Sequence, residues 1–136
     1  MEQSEADTGK GWAASSIDRI GEGPGIRKIR HAIDVKEMGV NALVLPPRYQ
    51  AGSHWHDRQE EVYFVHEGTV VFVLGGGDET LTVEAGGVVR VDAATERQLR
   101  NETDQPVTLV VFGAEGGYVG RDGNAGGSAG GFLDAG

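Results

Sequence analysis

Between Ile26 and Gly113 the chain breaks into nine short runs rich in Val, Leu, Ile, Phe and Tyr: IRKIRHAID, VNALVL, SHWH, EVYFVH, TVVFVL, TLTV, VVRV, RQLRN and VTLVVFG. Turn-forming clusters separate them, among them LPPRYQAG, HEG, GGGDE, EAGG, DAAT and NETDQP, which is the punctuation of closely spaced strands. Only VKEMG could form even one helical turn. Parallel strands need long, usually helical, crossovers, so strands without helices imply an all-β antiparallel sandwich or barrel. TVVFVL and VTLVVF are apolar at consecutive positions and should be covered on both faces. A small jelly-roll barrel meets these demands, and its mouth is a natural ligand site.

A chain of 136 residues has room for one domain. Residues 1–25 are polar and end in GEGPG, which favours an N-terminal arm. Residues 26–113 hold the strand runs, and residues 114–136 form a Gly-rich tail whose ordering would cost more entropy than its few apolar groups offset. That tail is expected to be flexible, although Tyr118 and the Phe132, Leu133 pair could dock on the body or on a second subunit. The net charge of -9 repels phosphate backbones and anionic lipid, so neither nucleic acid nor membrane is an expected partner. The absence of cysteine removes disulfides, thiolate metal sites and Cys nucleophiles. With no basic, apolar leader at the start and no apolar run approaching the length of a membrane span, a soluble, cytoplasmic protein is expected.

Chemistry concentrates in GSHWHDRQEEVYFVHEG, residues 52–68. On a strand, His54 and His56 share one face and Trp55 takes the other. Two imidazoles at that spacing can reach one ion, and with a carboxylate they suit Fe, Mn, Ni, Zn or Cu. H-x-H alone is a weak signal. His31 and His66 are lone strand histidines, GGGDE lacks the Lys and helix of a phosphate loop, and no G-x-S-x-G elbow occurs. No catalytic residue is therefore assigned.

The stretch resembles the first motif of the cupin superfamily, G-x5-H-x-H-x3,4-E-x6-G. His54, His56 and Gly68 occupy their places, and the last interval selects Glu61 over Glu60 as the acid. The motif's first glycine falls on Arg48. A second motif, G-x5-P-x-G-x2-H-x3-N, is met at its ends by Gly86 and Asn101, with Asp92, Ala94 and Arg97 in place of its proline, glycine and histidine. The resemblance implies a double-stranded β-helix, a divalent metal on His54, His56 and Glu61, a small-molecule ligand, and a homodimer paired through sheet edges.

Arg97 stands where the family's third histidine would, and it cannot coordinate. It could pair with Glu61 in the ion's place, sit beside a weakly held ion, or hold an anionic substrate next to one. Gln59, Tyr63 and Val65 share strand parity with Glu61, so Gln59, Tyr63 and Arg97 are the candidate ligand-binding residues and Val65 a deeper wall. The functional expectation is a cupin that binds a small molecule, with an optional or weakened metal. The alternatives are a metal-dependent oxygenase or isomerase acting on a small acid or sugar-like substrate, or a structural dimer module.

Overall fold

The computed structural model describes residues 5–114. Its elements are β1 (Asp7–Gly9), β2 (Trp12–Ala14), β3 (Gly25–Arg27), α1 (Ile29–Ala32), β4 (Gly39–Leu45), β5 (Tyr49–Gln50), β6 (Glu60–Glu67), β7 (Thr69–Leu74), β8 (Glu79–Glu84), β9 (Val88–Val91), β10 (Arg97–Asn101) and β11 (Val107–Ala114). Two antiparallel sheets carry the fold, one ordered β5-β10-β7-β8 and the other β3-β4-β11-β6-β9. The all-β expectation holds, realised as two packed sheets. Leu45, Tyr63, Val65, Val89, Val91, Val107 and Leu109 from one sheet meet Val70, Phe72 and Leu99 from the other in a shared core.

Sequence alternation explains which side chains enter that core. Along β6, Glu61, Tyr63 and Val65 are buried while Glu60 and Val62 face out. The consecutively apolar runs become β7 and β11, each with a hydrogen-bonded strand on both sides. Between β6 and β7 the chain reverses at Gly68, whose φ of 85° belongs to the left-handed region; a β-carbon there would also lie 2.9 Å from the Pro106 carbonyl oxygen.

Three local expectations are corrected. IRKIRHAID is a strand only over Gly25–Arg27, after which α1 forms. The helical turn brings Ile29, Ala32 and Ile33 together at the wall of a small cavity shared with Ile17 and Ile20, which an alternating strand could not do. VKEMG is not helical, and SHWH is not a strand; only His54 makes a β-bridge there. Preceding the body, residues 7–14 form a hairpin in which Trp12 lies against Gly9. Arg27 ties the following segment down, donating to the carbonyls of Ile17 and Gly23 at 2.9 Å each. The Gly-rich tail lies outside the described residues except for Ala114, which ends β11. No helix among the described residues is long and apolar enough to cross a membrane.

The connections at the β5 end of the sandwich are locked by Asn101, which is 1% exposed. Its Nδ2 donates to the carbonyls of Leu45, Pro46 and Gln105, and its Oδ1 accepts from the backbone and hydroxyl of Thr103. Truncation would leave several buried carbonyls without a donor. Asn101→Ala is therefore expected to cost about 2 kcal/mol in urea unfolding, and a loss below a few tenths would contradict this role. Nearby, Arg48 stands where the motif has glycine and takes a left-handed φ of 56°. It is held by donation from its N–H to the Thr103 carbonyl and from Nε to Asp104.

Candidate metal centre

Three side chains converge where β6 begins. Glu61 is inward on β6 and 8% exposed, whereas Glu60 points out toward Arg90. His54 and His56 come from the irregular segment before β6. This segment is held in place by backbone hydrogen bonds: His54 and Arg97 exchange N–H···O bonds at 2.9 Å in both directions, and the His56 N–H donates to the Ala93 carbonyl at 2.8 Å. His54 Nε2 lies 3.9 Å from Glu61 Oε1 and His56 Nε2 lies 3.3 Å from it. One ligand atom from each residue falls within 4.8 Å of the others.

The donor set is one that could hold a metal ion. His56 Nε2 is buried without a hydrogen-bond partner although a carboxylate oxygen is only 3.3 Å away. Such an orphan is costly unless something else joins the two atoms. Ligand atoms each about 2.1 Å from one ion lie roughly 3.0–3.4 Å apart at octahedral or tetrahedral angles. The His56–Glu61 separation is within that interval, and the half-exposed His54 ring, 3.9 Å from the same oxygen, lies outside it.

Tyr63 supports Glu61 from below. Its hydroxyl donates to Glu61 Oε1 at 2.7 Å, and its ring packs edge-on against Phe72 at 5.2 Å between centroids. Burial first, and then this bond to the carboxylate, push the phenol well above its ordinary range. A tyrosine pKa raised on folding contributes stability that is complete below pH ~10 and is lost as pH climbs toward the folded value. Between pH 10 and 11 the parent should lose about 1 kcal/mol more than a Tyr63→Phe variant in urea unfolding. Parallel alkaline slopes would contradict the assignment.

Of the placements open to Arg97, the pairing with Glu61 is not made. Its guanidinium is fully buried, yet it makes no ion pair with Glu61; Nη2 donates to the Asp92 carbonyl at 3.0 Å and Nη1 to that of Ala93 at 3.4 Å. Nε has no partner. Since the Ala93 oxygen also receives the His56 N–H, Arg97 fastens the turn that carries the histidine arm. Gln59 packs beside Gly113, the strand partner of Glu61. It lies in a slot formed by two glycines, where a β-carbon on Gly113 would be 1.9 Å from its Nε2 and one on Gly39 3.3 Å. Val65 is wholly enclosed in the core.

Beside His54 and Tyr63 opens a cavity of about 490 Å³, walled chiefly by Leu43, Leu45, Leu99, Ile26 and Tyr49. Of the residues singled out from sequence, only His54 and Tyr63 border it. The leucines could have been found from inward parity on β4 and β10, but their adjacency joins strands of different sheets.

A family model described as a cupin domain matches residues 42–113, just over half of the chain. The chain belongs to the cupin family. No curated protein matches it. Among solved structures, this cupin is similar to a cupin protein from Bacteroides fragilis at 20% identity, covering 77% of this chain and 90% of that one with a TM-score of 0.65. A Thermus thermophilus protein matches at 25% identity, with 75% and 96% covered and a TM-score of 0.63. A sugar phosphate isomerase of the cupin superfamily from Silicibacter pomeroyi matches at 28% identity with a TM-score of 0.60; 67% of this chain aligns to 59% of that one. The cupin motifs also account for Asn101, the lock of the loops, and for Gly68 at the tight turn.

Proposed function

We propose that this cupin holds a divalent transition metal through His54, His56 and Glu61 and presents it to a small molecule in the adjoining cavity. The observation that carries this reading is the buried, unpartnered His56 Nε2 facing Glu61 Oε1. Two imidazoles and one carboxylate form a recognised ligand set that leaves coordination positions open. When bound, the ion would act as a Lewis acid toward a ligand oxygen. Tyr63 orients the carboxylate, Arg97 adds hydrogen bonds to the turn beside the arm, and the cavity wall is mostly apolar.

The isomerase likeness supports a second reading, an isomerase acting on a sugar-like substrate, at 28% identity and over 59% of that enzyme's length. Against it stands the cavity wall, which offers no Lys or Arg to a phosphate.

The test is metal loading of the full chain with Mn, Fe, Ni, Cu or Zn salts in turn, followed by removal of excess ion and elemental analysis. About one equivalent of at least one metal is expected, with coupling to two imidazole nitrogens in the Cu(II) paramagnetic resonance spectrum. Retention of none of the five, or a spectrum without nitrogen coupling, overturns the reading.

A further inference from the structure

The cavity beside the proposed metal centre is apolar to a degree that restricts its ligand. None of its lining residues is Lys, Arg, Asp or Glu. Its polar groups include the His54 imidazole, directed to the metal set, and the Tyr63 hydroxyl, already donating to Glu61. The cations that flank it in the chain or across a strand pair are engaged elsewhere: Arg27 donates to the Ile17 and Gly23 carbonyls and Arg100 pairs with Glu102. Arg97 has no exposed surface and donates to the Asp92 and Ala93 carbonyls, while the Arg48 side chain pairs with Asp104.

The wall then limits what can bind. One negative end of a ligand can rest on the ion. A second, carried away from the ion, would lie against leucine and isoleucine side chains, where an unpaired charge is strongly disfavoured. The wall rewards the opposite property, since each buried methylene strengthens binding roughly fourfold.

We infer that the natural ligand has an apolar body and one monoanionic chelating end, the class of aryl- or alkyl-substituted hydroxy acids and enols, in contrast to sugar phosphates and small dicarboxylates. This rests on the metal-centred reading above and adds the ligand's chemistry to it.

Three probes share one hydroxycarboxylate end and differ in what is attached to it. Glycolate has no body, mandelate carries a phenyl ring, and tartronate carries a second carboxylate. In calorimetric titration of the zinc-loaded full chain, mandelate should bind at least about tenfold more tightly than glycolate. Tartronate should bind more weakly than glycolate once each is scaled by its affinity for free zinc. An Ile26→Asp variant, altered at an exposed wall position outside the metal ligands, should retain its zinc and bring the mandelate-to-glycolate ratio close to one. Equal binding of mandelate and glycolate to a zinc-loaded parent overturns the ligand class and leaves the metal reading standing. A tartronate preference does the same. A parent that retains no zinc or other metal overturns the metal reading and this inference with it.

Discussion

A His54→Ala, His56→Ala variant is expected to bind zinc at least about 1000-fold more weakly than the parent, because two of three ligands are gone while loss of even a supporting contact typically costs 10- to 100-fold. The fold should survive the change. The His54 side chain is half exposed, and His56 contributes a buried nitrogen that nothing satisfies in the absence of an ion. Removing an unsatisfied polar atom carries little stability cost. The arm keeps its backbone bonds to Arg97 and Ala93, which do not involve the deleted rings. Trp55, one of only two tryptophans, stands between the histidines and is exposed, so its fluorescence reports the titration. Unchanged zinc affinity in a variant with native circular dichroism would remove these residues from the metal site.

In the opposite direction, Arg97→His is expected to tighten zinc binding about 100-fold. Arg97 is directly opposed to His54 across the β-bridge, so the two side chains leave the backbone on the same face with β-carbons roughly 5 Å apart. A histidine there brings a fourth ligand within reach and removes a cation. At about 8 Å and an effective dielectric of 20, repulsion between a dication and a guanidinium is about 4 kcal/mol before solvent screening. One third of that is a factor of about ten. Arg97→Met separates the two contributions, since it removes charge without adding a ligand, and a gain of about tenfold is expected from it. The turn should remain in place in both variants: the Asp92 carbonyl keeps the Thr95 N–H and the Ala93 carbonyl keeps the His56 N–H. If neither substitution tightens zinc binding in competition titrations, Arg97 does not act on the site electrostatically or by position.

Most strands of the two sheets were legible because each carries its own evidence, alternation or an apolar run closed by turn residues; β5 was not, since Tyr49 and Gln50 lie inside the turn cluster LPPRYQAG. Glu61 was legible because the interval to Gly68 is fixed by a tight turn that only a flexible residue makes. SHWH misled because its two-residue period imitates a strand while its neighbours supply no buried face: Gly52, Ser53, His54 and Trp55 are all exposed. Trp55 is exposed to solvent. The hairpin at residues 7–14 offers one large apolar side chain, Trp12, too few to register as a strand pair. For Arg97, sequence revealed the position and the lost ligand but not the partners. Backbone carbonyls have no sequence signature, and the pairing expected with Glu61 gave way to carbonyls closer to hand. The slot that holds Gln59 was hidden for a related reason, since its walls are glycines of two strands distant in sequence.

The segment carrying His54 and His56 is attached to the sheets chiefly by single bonds and not by a continuous ladder, among them Ala51 to Leu99 and Gln98, the paired bonds of His54 with Arg97, and His56 to Ala93. Segments held this way open far more often than the strands beneath them. An ion gripped by such a segment would leave through a local opening while Val65, Val70 and Phe72 remain packed. Its residence time would then be set by how often the arm lifts, and warming would empty the site reversibly well before the two sheets come apart.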